Sequence, residues 1–283
     1  MPANIIARCT PTLGFVSLWW CRAVETILWP TGSCGKSLFY LRDHKGGEIA
    51  EVRNGIVDAV LRYDRDVGPV SHLFWIDDDV LTFPGCLLSL LHHDCDIASG
   101  VYFTKRPGKL SEPLIYSDPH GSADLFKPDQ AYPVFGHGMG LTLIRTSVYK
   151  RMFQEIDLAK DKYGRPQWYH TVGIGESWED EKGIIHTEQT EDFYFLSNVA
   201  KLGIKPMIDT SKHAFGFHYQ PEYCCSCGLE TPHAREARSH KRDNPTHSMA
   251  LEDRGYPQEQ WTQWIKGERI TWTMPDDSKV IWD

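Results

Sequence analysis

No apolar run in this sequence approaches the roughly 18 residues that a membrane-spanning helix needs, so no membrane segment is expected. A secretory leader is not expected either: MPANIIARCTPT carries an arginine and two prolines where a signal peptide has an uninterrupted apolar core. Positive charge is short. A formal net charge of −8 argues against a general electrostatic grip on nucleic acid and leaves room only for a local basic patch. Cysteine is thinly spread, at 9, 21, 34, 86 and 95, apart from Cys224, Cys225 and Cys227. Without a secretory signal, free thiols are the expectation. Internal repeats are not found. These absences point to a soluble protein of the cytoplasm with no membrane partner.

What is present suffices for a core. A length of 283 residues suits one large domain or a domain with an appendage. A hydrophobic content of 41% with 12% aromatics excludes global disorder.

The most informative stretch is Ser71–Asp79, where the apolar run Leu73 to Ile76 ends in Asp77, Asp78 and Asp79. The run reads as a buried parallel-type strand. Three acids at its carboxyl end repel one another and resist desolvation unless a cation sits between them. Ligands of open α/β sheets bind at that end of the strands. Alternate carboxylates point to one side, so Asp77 and Asp79 can share an ion and its ligand. Oxygen ligands and partial hydration suit Mg²⁺ or Mn²⁺ bridging phosphates. The competing reading is a solvated acidic loop.

Around this stretch, strand and helix alternate as in a parallel α/β sheet. Asn4–Cys9 is a strand, stopped by Thr10-Pro11-Thr12. A helix is expected within Phe15–Leu28 and a second strand at Ser37–Leu41. The next helix puts Ile49, Val52, Ile56, Val60 and Leu61 on one face, with Glu48, Glu51, Arg53 and Asp58 off it. Pro84 opens a helix to Leu91; Ile97–Phe103 and Leu141–Ile144 are strands. Residues 106–130 read as a long loop or hairpin. Ser147 is the expected N-cap of a helix to Ile156. Residues 161–189 are expected to form a mobile loop over the site. Thr190-Glu191-Asp192 opens a helix with Phe193, Leu196, Val199 and Ala200 as its apolar face and Gly203 as its stop. Ile204–Asp209 is the last strand before His213 and His218.

Several residues carry candidate chemistry. Glu191 and Asp192 sit in a first helical turn, where the dipole stabilises acids for structural reasons. The same dipole keeps a general base ionised for deprotonating a hydroxyl. His218 either completes a metal shell or packs among aromatics. Gly136, Gly138 and Gly140 precede a strand, not a helix, so a dinucleotide fingerprint is rejected in favour of close backbone approach to a sugar or acceptor. Arg53 can pair with a phosphate or with the acids, and Asn54 can bond a base or sugar; an exposed helix face is the alternative. Cys224 and Cys227, with His233 and His240, make an incomplete zinc signature whose alternative is inert thiols or a disulfide.

Taken together, Arg53-Asn54, Trp75-Ile-Asp-Asp-Asp79, Gly136-x-Gly138, Thr190-Glu191-Asp192 and His218 resemble GT-A-type glycosyltransferases, closest to the inverting, family-2-like group. The resemblance covers about residues 4–218. It implies a Rossmann-like, mostly parallel sheet flanked by helices over 1–218, binding a nucleotide-diphosphate sugar (a UDP-sugar favoured) with Mn²⁺ or Mg²⁺. A C-terminal extension over 219–283 is the candidate acceptor-binding part. Asp79 would bind the metal directly, with His218, and Asp77 the ribose or the metal's water shell. Asp78 fills the variable position of the motif. Thr10, Pro11, Arg53, Asn54, Gly136 and Gly138 would line the donor pocket, Asp192 would be the base and Glu191 its support.

The general look resembles stand-alone phage-type enzymes that glycosylate hydroxymethylated pyrimidines in DNA, which would place the protein in a host cytoplasm. Arg235, Arg238, Lys241 and Arg242 then meet phosphates, and Trp261 or Trp264 stacks on a base; a solvated helix and core tryptophans are the alternative. Polysaccharide or protein acceptors are rivals with the same core. Readings from other classes are a metal-dependent nucleotidyl- or phosphotransferase and a non-catalytic binding module.

Overall fold

The computed structural model describes residues 5–12, 16, 18–30, 48–102, 113–118, 127–171, 177–179, 185–187, 190–218, 270–273 and 279–282. In chain order the first elements are β1 (Ile5–Cys9), α1 (Leu18–Glu25), α2 (Ile49–Asp66), β2 (Val70–Ile76), β3 (Val80–Thr82), α3 (Cys86–His92) and β4 (Ile97–Gly100). Short strands β5 (Ile115–Tyr116), β6 (Ala131–Pro133) and β7 (Gly136–His137) lead to β8 (Leu141–Arg145) and α4 (Thr146–Glu155). There follow β9 (Ser177–Glu179), β10 (Ile185–Thr187), α5 (Glu191–Lys201), β11 (Met207–Asp209) and β12 (Gly216–His218). Beyond 218 the described residues are the antiparallel pair β13 (Ile270–Thr273) and β14 (Lys279–Trp282).

Six strands form the central sheet in the order β1-β2-β8-β4-β11-β6. β1, β2, β4 and β11 run one way, as a mostly parallel sheet requires. β8 is inserted against that direction between β2 and β4, and β6 opposes β11 at the edge. The sheet is therefore mixed. Leu141–Ile144 announces a strand, but apolar content carries no information about strand direction.

The side chains of β2 divide by parity between two cores. Phe74 and Ile76 join Trp20, Val24, Leu87 and Leu90 of α1 and α3. Leu73 and Trp75 join Val52, Ile56, Tyr149 and Phe195 of α2, α4 and α5. The result is a helix–sheet–helix sandwich compatible with a Rossmann-like fold. Leu73 to Ile76 have no exposed surface, worth about 1.5–3 kcal/mol each before entropy. A one-residue slip would swap every side chain to the wrong core, so the register is fixed. That register delivers Asp77 to the sheet's carboxyl edge.

Several expectations change. Arg53, expected off the apolar face of its helix, is buried, whereas Ile49 is exposed and Leu61 only half-buried. In α5 the buried face is Phe195, Leu196 and Val199, with Phe193 half-buried and Ala200 exposed. Ser147 does not cap α4: Arg145 holds the N-cap position and no side chain bonds the end. Pro84 lies in a turn two residues before α3. The 161–189 segment does not begin as a loose loop, because Trp168 and Tyr169 are core residues. Gly203 ends α5 at φ +69°, the left-handed conformation glycine adopts without strain. The Ser37–Leu41 strand, Cys224, Cys227, His233, His240, the 235–242 basic segment, Trp261 and Trp264 lie outside the described residues.

Candidate functional site

Four pieces of chain meet where β2 ends. The ladder between β2 and β8 continues one step past both strands, with Asp77 N–H donating to Gly140 O at 3.1 Å. Trp20 of α1 holds the other side of that turn, its indole N–H donating to Asp77 O at 2.8 Å. The Asp triplet and the 138–140 glycine run are thus one structural unit. The first turn of α5 brings Glu191 and Asp192, and α2 brings Arg53.

Arg53 is the cation these acids require. Its Nη2 donates to Asp77 Oδ1 at 3.0 Å and Oδ2 at 3.3 Å. Its Nε lies 3.6 Å from Glu191 Oε1, and Nη2 lies 3.9 Å from Asp192 Oδ1. Only 2% of the side chain is exposed. Burial by itself lowers a guanidinium's pKa, but the attraction of Asp77, Asp192 and Glu191 outweighs it and Arg53 is held charged. Its plane lies near the rings of Trp75 (5.4 Å) and Tyr169 (5.8 Å), a cation–π setting. Those rings are themselves tied: Trp75 Nε1 donates to Tyr149 OH, which hydrogen-bonds Tyr169 OH.

One guanidinium does not balance three acids. Asp77 is pushed up to about 6, by desolvation first, with Arg53 opposing and Asp79, Asp78 and Glu191 adding to the rise. Asp192 is raised well above the ordinary carboxylate range, again by desolvation, then by Glu191, against the pull of Arg53. Its Oδ2 accepts a 3.3 Å bond from the Met139 N–H, whereas Oδ1 is buried without a hydrogen-bond partner. Arg53 Nε and Nη1 also lack one. Asp77 and Asp192 keep 22% and 23% of their side-chain exposure, so both can be reached from outside. Half-buried acids whose pKa is perturbed by desolvation and a specific charge partner are functional-site candidates.

Of the two partners the sequence offers Arg53, a phosphate or the acids, the structure shows the acids; Asn54, Gly136 and Gly138, which the resemblance sets against a donor, have protein neighbours. Asn54 spends its amide on Tyr169, donating to its O at 2.7 Å and accepting from its N–H at 3.0 Å. A Cβ on Gly138 would stand 2.3 Å from Tyr102 OH, and one on Gly140 2.9 Å from Asp77 Oδ2. These glycines make room for the site's own side chains. At Gly136 a Cβ would meet Leu196 at 3.4 Å and Tyr116 at 3.6 Å, ordinary van der Waals contacts.

Tyr102 had no signal in the sequence. It follows β4, is buried, and its hydroxyl accepts the Gly140 N–H at 2.7 Å. Burial, then Asp77 and Asp192, raise its pKa well above that of a free phenol. Trp20 was legible only as part of the helix expected within Phe15–Leu28. Thr10 and Pro11 are buried at the end of β1, the Thr10 hydroxyl without a hydrogen-bond partner.

The metal set of the sequence reading divides. Pairing of β12 with β3 sets the backbone of His218 opposite Val80, next to Asp79; the side chain of His218 lies outside the described residues. Asp77 is taken by Arg53. Among the described residues no group of three or more His, Cys, Asp or Glu side chains stands arranged for a metal. No helix among them is long and apolar enough to cross a membrane.

No protein-family model and no curated protein sequence matches the chain. Among solved structures, that of A197 from STIV aligns with 78% of this chain and 87% of its own at 18% identity, with a TM-score of 0.44. The likeness is too distant to argue from.

Proposed function

We propose that the chain is a metal-dependent GT-A-type glycosyltransferase that moves a sugar from a nucleotide-diphosphate donor to an acceptor hydroxyl. The observation that carries this reading is Asp192. It is a reachable carboxyl with a raised pKa, at a helix start, tied through one guanidinium to the acids that end β2. A raised pKa makes the ionised carboxylate a stronger base toward an acceptor hydroxyl.

In this reading Asp192 accepts the acceptor's hydroxyl proton as its oxygen attacks the anomeric carbon. The new C–O bond forms as the bond to the diphosphate breaks, and the leaving oxygen keeps the electron pair. One such displacement inverts the configuration. An acidic cluster with a single cation suits a hard divalent ion, and the residues that would hold Mn²⁺ or Mg²⁺ are Asp79 and His218, adjacent through the β3–β12 pairing. When bound, the ion neutralises charge on the departing diphosphate. Thr10 and Pro11, buried just past the carboxyl end of β1, would shape the edge against which the nucleotide lies rather than offer it their side chains.

A thermal-shift panel of UDP, GDP, CDP and their sugars, with and without Mn²⁺, tests the reading. Metal-dependent stabilisation by one of them is expected. Asp79→Asn abolishes it, whereas Asp192→Asn spares binding and lowers turnover about 10²–10⁴-fold. No metal-dependent shift with any nucleotide sinks the proposal. Nucleoside triphosphate turnover without sugar transfer replaces it with a nucleotidyl- or phosphotransferase. Hydroxymethylated-pyrimidine DNA is the first acceptor to try, followed by polysaccharide and protein.

A further inference from the structure

The resemblance sets Arg53 against the nucleotide, the residue type also allows pairing with the acids, and its surroundings favour the second. Its side chain is buried, so it offers no surface to a phosphate. Placing a cation there requires the Trp75 and Tyr169 rings, the Tyr149 hydroxyl that ties them, and the Asn54 clamp on Tyr169. Those parts come from α2, β2, α4, the 168–169 segment and, through Phe195 stacked on Tyr169 at 4.8 Å, α5. What they hold is one guanidinium whose Nη2 lies between Asp77 (3.0 Å) and Asp192 (3.9 Å) while its Nε faces Glu191 (3.6 Å), so two of its nitrogens meet the end of β2 and the start of α5.

We propose that Arg53 is a positioning residue: it fixes the proton-accepting Asp192 relative to the donor-binding end of β2, and contacts neither substrate. This rests on the transferase reading above. A guanidinium can span two acidic elements because its nitrogens diverge in a rigid plane; an ammonium is a single point and serves one element at a time. Charge alone therefore does not substitute for the fork. Misplacing a catalytic group by about 1 Å costs on the order of 10² in rate. Loss of the fork should accordingly appear in turnover and not in donor affinity.

The experiment has two arms. In the first, Arg53→Lys is compared with wild type for folding by circular dichroism, for UDP affinity in Mn²⁺, and for sugar transfer. UDP affinity within about threefold and kcat lower by about 10² are expected. The double variant Arg53→Lys/Asp192→Asn should be no slower than Asp192→Asn, because both changes act through the same base. A kcat within about threefold of wild type overturns the proposal, and so does an equal loss of affinity and kcat, which would make Arg53 a donor contact. The second arm needs neither activity nor an Arg53 variant. The guanidinium N–H signals of Arg53 are followed by NMR in Asp77→Asn and in Asp192→Asn. Both substitutions should move them. A response to Asp77→Asn alone overturns the shared fork, whatever the first arm gives. If wild type transfers no sugar, the transferase reading fails while this arm still decides whether Arg53 links the two acidic elements.

Discussion

Asp77 follows β2 and Asp209 ends β11, two co-directional strands of one sheet, yet the two carboxyl groups meet opposite surroundings. Asp209 is one acid among donors: Ser89 Oγ at 2.7 Å, His93 Nε2 at 2.8 Å and the Ser211 N–H at 2.8 Å. Desolvation works to raise its pKa, but bonds from His93, Ser211 and Ser89 outweigh it and the carboxyl is held below the usual range. Asp77 is one of three acids around a single donor side chain, and desolvation wins. Asp209 is the more buried of the two, with 3% of its side chain exposed against 22% for Asp77, so burial does not explain the contrast and the count of donors against acids decides. At β11 it ties α3 to the sheet. At β2 it leaves a charge deficit that a ligand can relieve.

Removing the satisfied acid should have the larger effect. Asp209→Ala leaves three donors behind, of which Ser89 is buried and His93 and Ser211 half-buried, and is expected to cost about 3 kcal/mol in urea unfolding. The loss should fade as pH falls through the carboxylate range. A folded pKa that is depressed contributes stability above the unfolded value and loses it on protonation.

Next in size is Gly138→Ala, which drives a methyl to 2.3 Å from the buried Tyr102 hydroxyl. A loss of about 2 kcal/mol is expected, with Tyr102→Phe in the same background recovering part of it. No recovery would show that the glycine serves something other than the phenol.

The smallest effect has the opposite sign. Moving a carboxyl from 3.8 to about 6 corresponds to a penalty of about 3 kcal/mol at most when it is ionised. That penalty is absent below the unfolded pKa and complete above the folded one. Asp77→Asn should therefore raise stability at pH 8, in EDTA, by about 1–2 kcal/mol after its lost bonds to Arg53 are counted. The gain should vanish between pH 6 and 4 while sugar transfer is lost. A destabilised Asp77→Asn at pH 8 would place the two acids in the same class and remove the contrast.

How far these features could be read in advance depended on whether they were local. The Ser71–Asp79 run showed a buried strand breaking into acids, because burial on both faces and an abrupt stop are written in consecutive residues. The helix start at Glu191 and the stop at Gly203 were legible for the same reason. The direction of β8 was not, since pairing partners far apart in the chain set it. Tyr102 and Trp20 looked like ordinary core aromatics until contacts with Gly140 and Asp77 gave them positions.

By itself, then, the sequence determined that three acids at the end of a buried strand need a cation. Which cation answers Asp77 was decided only by tertiary structure. Helical periodicity set Arg53 on the polar side of its helix, because periodicity ranks residues by hydropathy and cannot see a partner. Packing against Trp75 and Tyr169, beside Asp77, Glu191 and Asp192, made that a place where burying a guanidinium is offset by the charges it meets.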